Sequence, residues 1–123
     1  EHFYKLPNIT VINKCIPNSE IENLFKKSKI SLTSSYYDTG PMTIIESILN
    51  GSIAICYHNC GYSQLNIDGC YMMDNLNIDK WIKQIKEILN NYNDFDILKN
   101  SHILEKRINN DISKFVKNYV DSK

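Results

Sequence analysis

Ile30-Ser31-Leu32-Thr33-Ser34-Ser35-Tyr36-Tyr37-Asp38-Thr39-Gly40-Pro41, continuing through Met42–Leu49 and Asn50-Gly51 to Ser52-Ile53-Ala54-Ile55-Cys56-Tyr57, is the stretch that decides the fold. Ile30–Thr33 is a short strand rich in β-branched residues. Pro41 suits the first turn of a helix, where a missing N–H costs nothing. Ile44, Ile45, Ile48 and Leu49 then give that helix one apolar face, and Asn50-Gly51 ends it. Ser52–Tyr57 is almost continuously apolar, the pattern of a strand covered on both faces. Strand, helix and doubly covered strand in this order predict an α/β fold with a parallel sheet and helices on both faces.

Working outward, Ile9-Thr10-Val11-Ile12 follows Pro7-Asn8 and reads as another strand. Asn13–Pro17 is a loop. Ser19 and Glu22 form a capping box ahead of a helix over residues 19–28, with Ile21, Leu24 and Phe25 on one face. Lys26 and Lys27 suit its C-terminal end, where the macrodipole favours cations. Beyond the loop His58-Asn59-Cys60-Gly61, Cys70–Met73 is a weaker strand. Ile78, Trp81, Ile82, Ile85, Ile88 and Leu89 repeat at helical spacing, which makes Trp81 a core residue and not a sugar-stacking platform. Residues 94–123 close the chain as one long helix or two, around Phe95–Arg107 and Ile112–Val120, with an interruption near Asn109-Asn110-Asp111. The expectation is one α/β domain over residues 1–123, with three or four parallel strands.

Composition narrows the function classes. The chain has 123 residues, 42% hydrophobic, with fourteen basic side chains balancing fourteen acidic ones. Zero formal charge gives no field to attract nucleic acid or an anionic membrane, so any phosphate must be held locally. No apolar run is long enough to span a bilayer, and no signal peptide is visible at the start. The chain opens Glu1-His2-Phe3 without a methionine, and is read as a piece of a longer protein. Cys56-x-His58-x-Cys60 with Cys70 matches no zinc spacing well. Cys56 and Cys70 sit in apolar runs, where free thiols act as small hydrophobes. With no framework of disulfides, a reducing cytoplasm is the expected compartment.

Ligands of open parallel sheets bind beyond the carboxyl ends of the strands, beside helix N-termini. Two loops occupy that edge: Ser34–Gly40 and Tyr57–Gly61. A helix N-terminus offers N–H groups and partial positive charge, and Gly40 allows a close approach of backbone to ligand. Asp38 and Glu46 flank the helix start, and carboxylates accept hydrogen bonds from sugar or ribose hydroxyls. Taken alone, such acidic residues are more often a cap and a solvated face. His58 lies beside the same edge as an acid, a base, a phosphate contact or a plain polar loop residue. Tyr36 and Tyr37 precede Asp38, where they border a ligand or pack.

From Asn8 to Glu87 the order of segments resembles the second half of the C-terminal domain of family 4 retaining glycosyltransferases, which have the GT-B fold. That family carries a strand ending in Pro-Ser, then Glu-Gly-Phe-Gly-x-Pro-x-x-x-Glu-Ala, then Gly-x-Pro-Val-Ile and a Gly-containing loop. Here the corresponding residues are Ile30–Ser35, Asp38-Thr39-Gly40-Pro41-Met42-Thr43-Ile44-Ile45-Glu46-Ser47, then Gly51-Ser52-Ile53-Ala54-Ile55 and Asn59-Cys60-Gly61. The resemblance implies a Rossmann-like nucleotide-sugar-binding domain without a cofactor. It implies that Glu46 binds the ribose hydroxyls and that Asp38 contacts the transferred sugar, steadying positive charge at its anomeric carbon. It places the backbone of Thr39, Gly40, Met42 and Thr43 at the sugar and diphosphate, and Lys14-Cys15-Ile16 beside the nucleobase. His58 and Gly61 are further candidates.

Two departures stand out: Asp38 is one methylene shorter than the family's glutamate, and Pro41 removes a backbone donor. The family's Gly-rich loop, its Arg/Lys pair and the acceptor-binding N-terminal domain have no counterpart in this sequence. The implied partners are a nucleoside diphosphate sugar, an acceptor of unspecified structure and that N-terminal domain. An epimerase of the same fold, or a non-catalytic interaction domain, are the other readings of the pattern.

Overall fold

The structure, a computed structural model, describes residues 7–61 and 69–121. The elements run α1 (Asn18–Lys27), β1 (Ile30–Thr33), α2 (Met42–Leu49), β2 (Ile53–Tyr57), β3 (Cys70–Met73), α3 (Ile78–Asn90), a 3₁₀ turn (Tyr92–Asp94) and α4 (Ile97–Asp121). The three strands form one parallel sheet in the order β1-β2-β3. This is the α/β, Rossmann-like arrangement that the alternation of strands and helices predicts.

Every residue of β2 is buried. Its alternate side chains feed two cores, as the two-residue period of a strand requires. Ala54 and Cys56 join Ile44, Ile45 and Ile48 of α2 and Leu104 of α4. Ile53, Ile55 and Tyr57 join Met73 of β3 with Trp81 and Ile88 of α3. The sheet is therefore sandwiched between α2 with α4 and α3. Trp81 is a core residue, and its indole N–H donates to the Asn75 carbonyl at 2.8 Å.

Local chemistry fixes the ends of the elements. Gly51, at φ +90, closes α2 as a left-handed residue. Gly51 N–H donates to Ile48 O at 3.1 Å and Ser52 N–H to Ser47 O at 2.8 Å, the bond pair of a Schellman motif. The buried Ser52 hydroxyl then sits 2.8 Å from both Phe25 O and Ser28 O, tying the end of α1 to the start of β2. Asn77 caps α3 by accepting from Lys80 N–H at 3.1 Å. Asp96 accepts from Lys99 N–H at 3.0 Å as α4 begins.

Four expectations need correction. Ile9–Ile12 is not a strand: Ile9, Val11 and Ile12 are exposed, and Ile12 faces a groove beside α1 and has no ladder partner. A β-branched run becomes a strand only where a neighbour accepts its backbone bonds, and none among the described residues does. Ser19 is not the cap of α1. The Pro17 carbonyl already accepts from Glu20 N–H at 2.9 Å and Ile21 N–H at 3.2 Å, so the helix starts at Asn18 without a side-chain cap. Pro41 is the N-cap of α2 and precedes its first turn. Finally, α4 runs through Asn109-Asn110-Asp111 without interruption. Those three are exposed and cost only a few tenths of a kcal/mol each in helix propensity, while Leu104 and Ile108 anchor the helix to α2.

Cys56 and Cys60 are buried, Cys70 is half-buried and Cys15 is exposed; all are free thiols. A hydrogen bond with Cys70, reinforced by burial, holds the Cys56 thiol well above the usual range. The same bond lowers Cys70. Burial raises Cys60. Because the thiolate is the reactive form, Cys56 and Cys60 should resist alkylation at pH 8 until the protein unfolds, whereas Cys15 should react at once; mass spectrometry of the labelled peptides reads this. Leu104 is 0% exposed and Leu98 84%. Leu104→Ala should cost about 2–5 kcal/mol in urea unfolding, and Leu98→Ala within about 0.5 kcal/mol.

Candidate functional site

The carboxyl ends of β1 and β2 meet in one place. The two strands pair in register from Ile30↔Ile53 to Thr33↔Cys56. Pairing then lapses and resumes at a single point, Asp38↔Cys60. Four residues, 34–37, span the gap on one side and three, 57–59, on the other. The first segment, one residue longer, is a loop, or bow, outside the strand ladder. Tyr36 and Tyr37 stand exposed on that bow.

The two loops are then laced together. Gly61 N–H donates to Asp38 O at 2.8 Å. A Cβ on Gly61 would collide with the Thr39 carbonyl oxygen and stand 2.6 Å from its carbon. Only glycine permits this approach of backbone to backbone. Beneath the join Cys60 is buried, its thiol 3.9 Å from Ser35 O. Asp38 bends its own loop as well, with Oδ1 accepting from Gly40 N–H at 3.0 Å, the short-range bond by which aspartate shapes turns. One carboxylate oxygen thus holds the loop that leads into α2.

The N-terminus of α2 lies directly after this join. It has no side-chain cap and no acidic residue in its first turn. Its positive end is therefore not neutralised from within the helix. Thr43 reaches back to β1, with its hydroxyl 3.4 Å from that of Thr33. Thr39, Met42 and Thr43 are exposed, and Gly40 is half-buried. These residues gather at the sheet edge with Asp38, as the sequence predicts.

Glu46 lies one turn further along α2 and is exposed. It borders a groove of about 220 Å³ between α1 and α2, with Asn18, Ile21, Glu22, Phe25 and Asn50. The polar lining is two carboxylates and two amides, with no cation. Such a wall accepts hydrogen bonds from hydroxyl groups. Ile16 instead borders a separate groove on the other side of α1, with Ile12 and Leu24, while Lys14 and Cys15 are exposed. The structure does not bring Lys14, Cys15 and Ile16 to the Glu46 groove. His58 is exposed; its backbone N–H donates to Met73 O at 3.0 Å, and its ring leans on Tyr57.

Sequence reading missed two features: the steric need for glycine at 61 and the stacking of Tyr36 on Tyr57. A glycine four residues past a buried strand hints at the first, but which backbone it meets is a tertiary fact. Among the described residues no three His, Cys, Asp or Glu side chains gather where a metal ion would be held, and no helix is long and apolar enough to cross a membrane.

A Rossmann-like layer whose adjacent strand ends converge on an uncapped helix N-terminus defines an α/β protein in which Asp38–Thr43 and Tyr57–Gly61 come together at one sheet edge. The family described as Glycosyl transferases group 1 matches residues 2–111, and the chain belongs to that family. Its chemistry is therefore glycosyl transfer. No curated protein and no solved structure matches the chain.

Gly61→Ala should force the two loops apart. We expect a loss of about 1–3 kcal/mol and faster hydrogen exchange at the residue 61 amide, while exchange in β2 stays slow. An unchanged exchange rate at residue 61 would show that the join does not depend on glycine.

Proposed function

We propose that this chain is the donor-binding part of a retaining, GT-B glycosyltransferase that moves a hexose from a nucleoside diphosphate sugar to an alcohol. The observation that carries the reading is the separation of two chemistries along α2. At its N-terminus are backbone groups and Asp38; one turn on is the anionic Glu46 groove, suited to hydroxyls. A nucleoside diphosphate sugar has this layout, with a ribose at one end, phosphates between and a sugar at the other.

In this reading Glu46 accepts the ribose hydroxyls. The backbone of Thr39, Gly40, Met42 and Thr43 lies along the diphosphate and sugar. The anomeric C–O bond breaks with its electron pair passing to the diphosphate oxygen. The acceptor oxygen bonds to the anomeric carbon from the same face, and its proton leaves on the diphosphate. Asp38 stabilises the positive charge that develops at the anomeric carbon. In this reading the cationic groups that complete the diphosphate site, and the acceptor site, are not among these residues. The compartment we propose is the cytoplasm.

In the full-length protein Glu46→Gln should weaken nucleotide binding by roughly ten- to hundredfold, the loss of a charge-assisted hydrogen bond, and leave the unfolding midpoint unchanged. Asp38→Asn should lower kcat more than it raises KM for the donor. Calorimetric titration with UDP, GDP and ADP, followed by donor kinetics, separates the two. If Glu46→Gln unfolds the protein while binding per folded molecule is kept, Glu46 is structural and the donor site lies elsewhere.

A further inference from the structure

Tyr36 is 66% exposed and yet fixed in place. Its ring stacks on Tyr57 with centroids 5.4 Å apart and 23° between the planes. Tyr57 is only 7% exposed and belongs to the core cluster with Ile55, Met73 and Trp81. His58 leans on Tyr57 as well, at 4.4 Å and 58°. One buried ring therefore anchors two exposed rings at the carboxyl end of the sheet. Tyr36 lies in the segment 34–37, which has one residue more than the segment 57–59 across from it, and stands two residues before Asp38.

A stacked tyrosine has already lost its side-chain freedom, so a ligand that covers it loses little further entropy in doing so. What fits its open side is a ring with one apolar face and polar edges. A pyranose presents axial C–H groups on a face and hydroxyls at its rim, and Asp38, two residues on in the same loop, carries a carboxylate to accept from such hydroxyls. Phosphate is held by cations or converging N–H donors; the flat face of the Tyr36 ring offers neither, and a carboxylate such as Asp38 repels an anion. The nucleoside end is an unsuitable occupant for a different reason. Neither Tyr36 nor Tyr57 borders the Glu46 groove, which is built from α1 and α2.

We propose that Tyr36, held by Tyr57, is a specificity-determining residue that stacks against the pyranose ring of the transferred sugar. The inference rests on the donor-binding reading above. It adds which side chain senses the sugar.

The test uses the full-length protein titrated with three pairs, UDP-glucose and UDP, GDP-mannose and GDP, and ADP-glucose and ADP. For the pair that binds, Tyr36→Ala should weaken the sugar nucleotide by roughly five- to tenfold, the scale of one lost ring stack, and leave the free nucleotide within about twofold. Tyr36→Phe keeps the flat face and should bind both as the wild type does. Tyr36→Leu, apolar but not flat, should lose the sugar nucleotide as Tyr36→Ala does and stands in for it should alanine loosen the loop. Equal weakening of nucleotide and sugar nucleotide would assign the ring to the nucleobase and overturn the proposal. So would unchanged binding of the sugar nucleotide in both the Ala and Leu variants. A wild-type protein that binds none of the three pairs overturns the donor-binding reading, and this proposal with it; a wild-type protein that binds one pair, with variants unaffected, overturns this proposal alone.

Discussion

A parallel strand in the middle of a sheet has to be covered on two faces and hydrogen-bonded on two edges at once, and β2 is such a strand. Its edges are filled by β1 and β3. One face holds Ile53, Ile55 and Tyr57 against α3, and the other holds Ala54 and Cys56 against α2 and α4. The alternation is large on one side and small on the other. That difference lets α2 lie close over Ala54 while larger side chains fill the α3 side. Ser52 fastens the start of the strand to the end of α1, and Gly51 delivers the chain to it from α2. With β2 fixed at its start and along both faces, its carboxyl end has a defined position, and the site inherits it.

The join at Asp38 and Cys60 transmits that position to the chemistry. Four residues on the β1 side meet three on the β2 side, and the mismatch is absorbed by a bow that exposes two tyrosines. Gly61 then passes against the Thr39 carbonyl without a side chain between them. Asp38 takes part twice, through its carbonyl to Gly61 and through Oδ1 to Gly40. Its carboxylate is held at the start of α2 by contacts that are independent of any ligand.

Electrostatics divides the surface along α2. The chain carries no net charge, and the Glu46 groove is lined by two carboxylates, one of which, Glu22, pairs with Lys26 at 4.0 Å. The N-terminus of α2 has no side-chain cap and no acidic residue in its first turn, so its backbone contributes partial positive charge there, beside the Asp38 carboxylate. The chain belongs to the group 1 glycosyltransferases, and glycosyl transfer moves a sugar from a leaving group to an acceptor.

By itself the sequence determined the alternation of elements, because apolar period and turn chemistry are local properties. The near-continuous run 52–57 announced a strand buried on both faces, Asn50-Gly51 the end of α2, and the repeat from Ile78 to Leu89 the helix α3. It also placed Asp38, Gly40 and Thr43 at one sheet edge, since a β-to-α loop in a parallel sheet can lie nowhere else. What tertiary structure alone decided were matters of partnership. Ile9–Ile12 has every local mark of a strand, yet a strand exists only with a neighbour to accept its N–H groups, and this run has none among the described residues. Asn109–Asp111 reads as a break, yet Leu104 and Ile108 fasten α4 to α2 strongly enough to carry the helix through it. Glycine at 61 and the stacking of Tyr36 on Tyr57 depend on which backbone and which ring come within a few ångströms across 22 and 21 residues of chain, and no local pattern encodes that distance.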